Sequence, residues 1–114
     1  METIDKEQLR ERLIEEGYVP EFGLDRTVEN LLNLKNLNNI AAYNMLVEWM
    51  KTGSIQKFEP IEGIDLRFLR DNLKMKKPAI ILAYGMLLYD PVGNAEFLRN
   101  QEKSRNEYRP KTVK

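Results

Sequence analysis

The chain of 114 residues has no cysteine and no histidine. The first absence excludes disulfides and thiolate chemistry. The second removes the usual base for a serine or cysteine nucleophile, and together they remove the ordinary zinc ligands. Serine is nearly missing too: Ser54 and Ser104 are the only two, and neither lies in a G-x-S-x-G elbow. No G-x-x-x-x-G-K-[ST] or G-x-G-x-x-G phosphate loop occurs. The longest apolar run, Ala79 to Tyr89, falls well short of the ~20 residues that span a bilayer. The first residues lack a basic and apolar leader pattern, and neither end carries a lipidation box. The expectation is a soluble, cytoplasmic, non-enzymatic protein with no cofactor, no metal, no membrane partner and no evident small-molecule substrate. An enzyme here would have to work with carboxylates and lysines alone.

What the chain does have is charge, and the charge is divided. Residues 1–66 hold 13 acidic and 7 basic side chains, a net of −6. Residues 67–114 hold 11 basic and 5 acidic, a net of +6, so the overall zero is a cancellation. Such an imbalance speaks about partners rather than about fold. With 42% apolar and 32% charged residues, the chain can bury one modest core.

The apolar spacing is helical from end to end. Asp5 is placed to cap a helix over about 6–16, with Ile4 stapling onto Leu9 and Gly17 as its stop. Asp25 or Thr27 is placed to cap a second, running to about Asn36. The run "LLNLKNLNNI" has a leucine-rich look but occurs once, and such repeats need stacked copies. A third helix, Ile40 to Lys51, is capped by Asn38 or Asn39 and ended by Gly53. It is apolar over most of its circumference, which predicts a central position. Ile55, Phe58 and Ile61 pin a crossing segment, with a short strand at 55–59 as the alternative. The pattern I-D-x-x-x-L-R-x-x-L, found at Ile4–Leu13, recurs at Ile64–Leu73 and predicts a fourth helix that ends in Lys74, Lys76 and Lys77. Pro78 opens a fifth, charge-free helix to Tyr89, in which Gly85 marks close packing. Asp90 and Pro91 start a sixth, with Asn94 as the alternative cap, and it is wholly polar from Gln101 to Glu107. The predicted fold is all-α: a single small domain of five to six short helices around a central apolar pair, residues 40–51 and 78–89. Residues 1–101 form the compact domain, and 102–114 a basic, partly frayed helix end and tail.

Two surfaces stand out as contact candidates. Glu7, Glu11, Glu15 and Glu16 make an acidic face on the first helix. Arg67, Arg70, Lys74 and Lys77 recur at helical spacing, with Lys76 beside them, and Arg99, Lys103, Arg105, Arg109 and Lys111 extend the basic set. Solvation and a helix-end dipole already account for the Lys74–Lys77 group. The carboxylates Glu59, Glu62 and Asp65 stand three apart but lack the calcium-loop pattern. The leading expectation is therefore a binding protein, an adaptor, inhibitor or assembly component. It would act through a protein partner or through head-to-tail self-association of its acidic and basic halves. The alternative is a nucleic-acid binder using the basic C-terminal half.

Overall fold

The computed structural model describes residues 3–18, 23–37, 39–55 and 57–107. Among these residues five α-helices follow one another: α1 (Lys6–Glu15), α2 (Leu24–Leu32), α3 (Ile40–Thr52), α4 (Lys77–Tyr89) and α5 (Pro91–Glu107). A 3-10 segment, Asn33–Leu37, prolongs α2, and a π turn, Phe68–Asn72, stands between α3 and α4. The fold is a small all-α domain, as the apolar spacing predicts. The strand alternative at 55–59 is not taken up: residues 55 and 57–59 carry no strand pairing, and the β-bridge among the described residues joins Ile61 to Ile64.

Several helix ends follow directly from the residues at them. The Asp5 carboxylate accepts from the Gln8 N–H at 3.2 Å, and Gly17 exits α1 with φ +70°. Gly53 closes α3 in the left-handed region, its N–H 2.7 Å from the Trp49 carbonyl. Asp90 serves two helices at once: its N–H bonds back to Met86, and its side chain accepts from the Gly93 N–H at the start of α5. Two expected caps are not used. The α2 helix begins at Leu24, ahead of Asp25 and Thr27, and the Thr27 hydroxyl donates back to the Gly23 carbonyl at 3.0 Å. Asn39 stands at the α3 cap position, but its amide donates across to the Gly85 carbonyl at 3.3 Å. Asn38, the other expected cap, lies outside the described residues.

The second copy of the I-D-x-x-x-L-R-x-x-L pattern needs a correction. Asp65 does cap, accepting from the Phe68 N–H at 2.8 Å, and both leucines, Leu69 and Leu73, are buried. The helix does not continue to Lys77, however. It closes in a π turn, with the Leu73 N–H on the Phe68 carbonyl at 3.2 Å. Lys74 then takes φ +57°, a place glycine usually fills. The cause lies downstream. Pro78 has no N–H to offer a helix arriving from residue 74, so that helix must end and α4 must begin ahead of the proline. Lys76 becomes the α4 cap and Lys77 its first residue. The three lysines thus leave one helix and start the next, rather than complementing a helix C-terminus.

The core lies on both sides of α4. On one side Ile81 and Tyr84 join Leu9 and Leu13 of α1, Val28 and Leu31 of α2, Leu34, and Tyr43, Leu46 and Trp49 of α3. On the other, Ile80, Ala83 and Leu87 pack with Ile64, Leu69 and Leu73 and with Ala95 and Leu98 of α5. Ile55, Phe58 and Ile61 touch both clusters, as their pinning role predicts. The two helices expected at the centre do pack on each other, but only α4 serves both clusters.

Gly85 sits where α4 meets α3. A Cβ there would stand 2.9 Å from Leu34 Cδ2 and 3.6 Å from Ala42 Cβ. Leu34 and Ala42 are themselves buried, so a branched side chain has nowhere to go. Gly85→Val should destabilise the protein by about 2 kcal/mol in urea unfolding. An unchanged midpoint would show that the contact yields freely.

Two cations also hold the fold. Arg12 Nη1 and Nη2 donate to the Trp49 and Met50 carbonyls at 3.3 and 2.9 Å, with the guanidinium carbon 5.4 Å from the Trp49 ring centroid. Lys77 Nζ reaches the Gly53 carbonyl at 3.0 Å. Both cations sit at the negative end of the α3 dipole. Arg12→Met keeps most of the aliphatic stem and removes the donors, so it should cost about 2 kcal/mol, the range for hydrogen bonds from a charged group. Equal stability of the two proteins in urea melts would contradict that role.

Candidate protein-binding face

The charged residues of the sequence reading are distributed differently from a simple pair of poles. Glu7, Glu11, Glu15 and Glu16 are exposed on α1 and at its end. Two basic residues of α1 turn toward α2: Lys6 pairs with Glu29 at 2.8 Å and Arg10 with Asp25 at 2.9 Å. Glu16 lines a cleft of about 360 Å³ with Arg70, Lys76 and Lys77. The acidic and basic fields therefore meet within one molecule.

The basic stripe itself is broken up. Arg67 is exposed, and Arg70 pairs with its neighbour Asp71 at 3.0 Å. Lys77 is held by Gly53. Arg99 donates to the Glu62 carbonyl at 2.8 Å, tying α5 to the turn at residues 61–64. Lys74, Lys76 and Lys103 are exposed. Arg105 lies on α5 with its side chain outside the described residues, and Arg109 and Lys111 lie wholly outside them. The α5 helix is continuous to Glu107, and Asn72 holds the Glu102 carboxylate at 2.6 Å. The part of the expected tail from residue 108 onward is outside the described residues.

The exposed apolar side chains show a clearer pattern. Of the eight large exposed ones among the described residues, seven lie on two stretches of chain: Leu37 and Ile40, then Met86, Leu88, Tyr89, Val92 and Phe97. Tyr89 is 84% exposed. Leu37, Met86 and Tyr89 rim a groove of about 500 Å³ between the end of α2 and the corner where α4 turns into α5. Its deeper parts are Leu34, Leu82 and Gly85. Four asparagines complete the lining: Asn30, Asn33, Asn39 and Asn94. Among the described residues that line it, none is charged.

The packing of α4 explains why the groove exists. The helix has no polar face between Pro78 and Tyr89, so whatever the two clusters leave uncovered is apolar. Asparagine amides close two of its carbonyls: Asn39 donates to Gly85 and Asn94 to Met86, the latter at 2.6 Å. A larger cleft, of about 600 Å³, lies along α3. Its walls mix Glu48, Lys57 and Glu59 with Asn44 and Tyr84, and none of the large exposed apolar residues reaches it. The α4–α5 groove is therefore the better contact candidate. Sequence reasoning missed both it and Arg12. The available signal was five asparagines within residues 30–39, next to leucines with no other surface role.

Comparison with protein-family models, with curated proteins and with solved structures returns no match to this chain. Among the described residues no helix is long and apolar enough to cross a membrane.

The α1–α2 ion pairs carry a pH signature. The hydrogen bond from Arg10, and then its charge, hold Asp25 below the ordinary aspartate range, while the same bond raises Arg10. A carboxyl lowered in the folded state adds stability that is fully present above its unfolded pKa. That stability is lost as pH falls through the lowered folded value. Both groups are exposed, so the effect is small. Urea unfolding of the wild type and Asp25→Asn should differ at neutral pH and converge below the aspartate range. A gap that stays constant with pH would place its origin elsewhere.

Proposed function

We propose that this chain is a non-enzymatic assembly or adaptor protein that works by protein–protein contact through the groove at the α4–α5 corner. The observation that carries this is the gathering of Leu37, Met86 and Tyr89 around an uncharged, asparagine-walled depression. In a protein with 32% charged residues, a concave apolar patch with no charge among its described lining residues is the kind of surface that marks a contact site. Aromatic anchors such as Tyr89 carry a large share of the binding energy at such sites. With neither cysteine nor histidine, the chain lacks the common nucleophile–base pairings.

The alternative, nucleic-acid binding, draws on one specific feature. Lys76 and Lys77 occupy the first positions of α4, at the positive end of its dipole, where cations are disfavoured. A phosphate beside them would relieve that conflict. Against it, Lys77 is already bonded to Gly53, and Glu16 shares the cleft.

Affinity purification with the tagged chain separates the two. The protein reading expects co-purifying protein, untagged copies of the chain included, that resists nuclease and survives combined charge reversal of Lys74, Lys76 and Lys77 to Glu. It should be lost with Tyr89→Glu. Recovery that disappears with nuclease or with the lysine reversal, and ignores Tyr89→Glu, would move the function to nucleic acid.

A further inference from the structure

We propose that the cleft along α3 is a binding site for an alkyl cation, an ammonium or guanidinium group on a short apolar stem. No described residue lines both this cleft and the α4–α5 groove, so the proposal stands apart from the protein-binding reading. Two polar groups in the cleft lack the partners that their burial demands. The Glu48 Oε1 oxygen is enclosed by protein and accepts no hydrogen bond among the described residues. Tyr84 is only 5% exposed, yet its hydroxyl bonds to no described residue. Both side chains line the cleft, Glu48 from α3 and Tyr84 from α4. A buried polar atom without a partner costs free energy, and most of all on a carboxylate. Folded proteins leave few such atoms, so two in one cleft point to a hydrogen-bonding group that comes from outside.

The charges of the lining select the sign of that group. The described lining holds two carboxylates, Glu48 and Glu59, and one cation, Lys57. Lys57 pairs with neither acid, because no ion pair joins it to any described residue. One negative charge is left over, and a carboxylate oxygen only accepts hydrogen bonds. A positively charged donor meets both needs, and hydrogen bonds between charged groups are the stronger kind. An anion would meet two carboxylates instead. A metal ion lacks its ligands here: the described residues hold no group of three acids that could bind one, and hard cations gather about six or more oxygens. Met45 and Val47 add apolar wall, which suits an alkyl stem. The volume of about 600 Å³ is that of a small-molecule site.

Such a cation can arrive as a free amine or as the lysine or arginine side chain of another protein. The chemistry that holds it is the same, so the test has an arm for each source.

NMR titration of the isotope-labelled full chain tests this directly. The probes are butylamine, agmatine, arginine blocked at both ends, neutral butanol and anionic butyrate. The cations should shift the amides of residues 41–48, 57–59 and 84 saturably, and butanol and butyrate should not. Glu48→Gln, with its circular dichroism and melting unchanged, should weaken binding roughly tenfold, the scale of a lost charged hydrogen bond. Tyr84→Phe removes only the hydroxyl and should weaken it about threefold. Lys57→Met should strengthen it by removing a like charge, a change that a merely structural role for the lysine would not produce. Tyr89→Glu should leave it unchanged, because Tyr89 lines the other groove. Agmatine binding more tightly than blocked arginine assigns the site to a free amine, and the reverse order to a partner's side chain. The proposal is overturned if no cation shifts these amides saturably, or if butyrate or butanol binds as well. It is equally overturned if binding ignores Glu48→Gln or Tyr84→Phe, weakens with Lys57→Met, or is lost with Tyr89→Glu.

Discussion

The structure depends on one constraint: α4 has no polar side. From Pro78 to Tyr89 it offers water no charge, so it must be enclosed by other elements. A single cluster cannot enclose a helix, and the domain answers with two. Ile81 and Tyr84 face the α1–α2–α3 cluster, and Ile80, Ala83 and Leu87 face the α5 cluster. The remaining elements follow from this. The π turn and the 61–64 turn exist to deliver Ile64, Leu69 and Leu73 to the second side, and α5 turns back after a single residue, Asp90, to supply Ala95 and Leu98.

Charge supports that arrangement from inside. The C-terminal carbonyls of α3 collect Arg12 from α1 and Lys77 from α4, which locks three helices at one point. Arg99 does similar work between α5 and the Glu62 carbonyl. Lys6 and Arg10 fasten α1 to α2. Basic residues that looked like an outward field are thus partly internal fasteners, which is why the division of charge along the sequence does not become two separated faces in space.

How much of this the sequence disclosed depends on distance along the chain. Local signals read correctly: Asp5, Gly17, Gly53, Asp65 and Asp90 mark element ends because capping involves residues only three or four apart. The two most apolar helices could be paired because nothing else could cover them. Identical local patterns still parted company. The motif at Ile4–Leu13 became a regular helix, while its copy at Ile64–Leu73 closed as a π turn, because Pro78 sits five residues beyond the second copy and Gly17 four beyond the first. The left-handed exit at Lys74 carried no signal, since a lysine stands where glycine would have announced it. The groove was invisible for a different reason. It draws on residues 30–39, 82–89 and 94, and each piece alone reads as a cap, a turn or part of a core.

Exposure of Met86 and Tyr89 is not by itself a sign of function. A helix without a polar face must show apolar residues wherever packing stops, so some exposure follows from composition alone. The rim is a different matter. Positions 30, 33, 39 and 94 come from elements that are free to carry charge, and their neighbours often do: Glu29 precedes Asn30, Lys35 follows Asn33 by two, and Glu96 follows Asn94 by two. An apolar patch that only had to stay soluble would be better guarded by those charges. Amides guard it poorly against association. The combination of an apolar floor, a projecting tyrosine and an amide rim therefore fits a surface that is covered in the working protein better than one that is always wet.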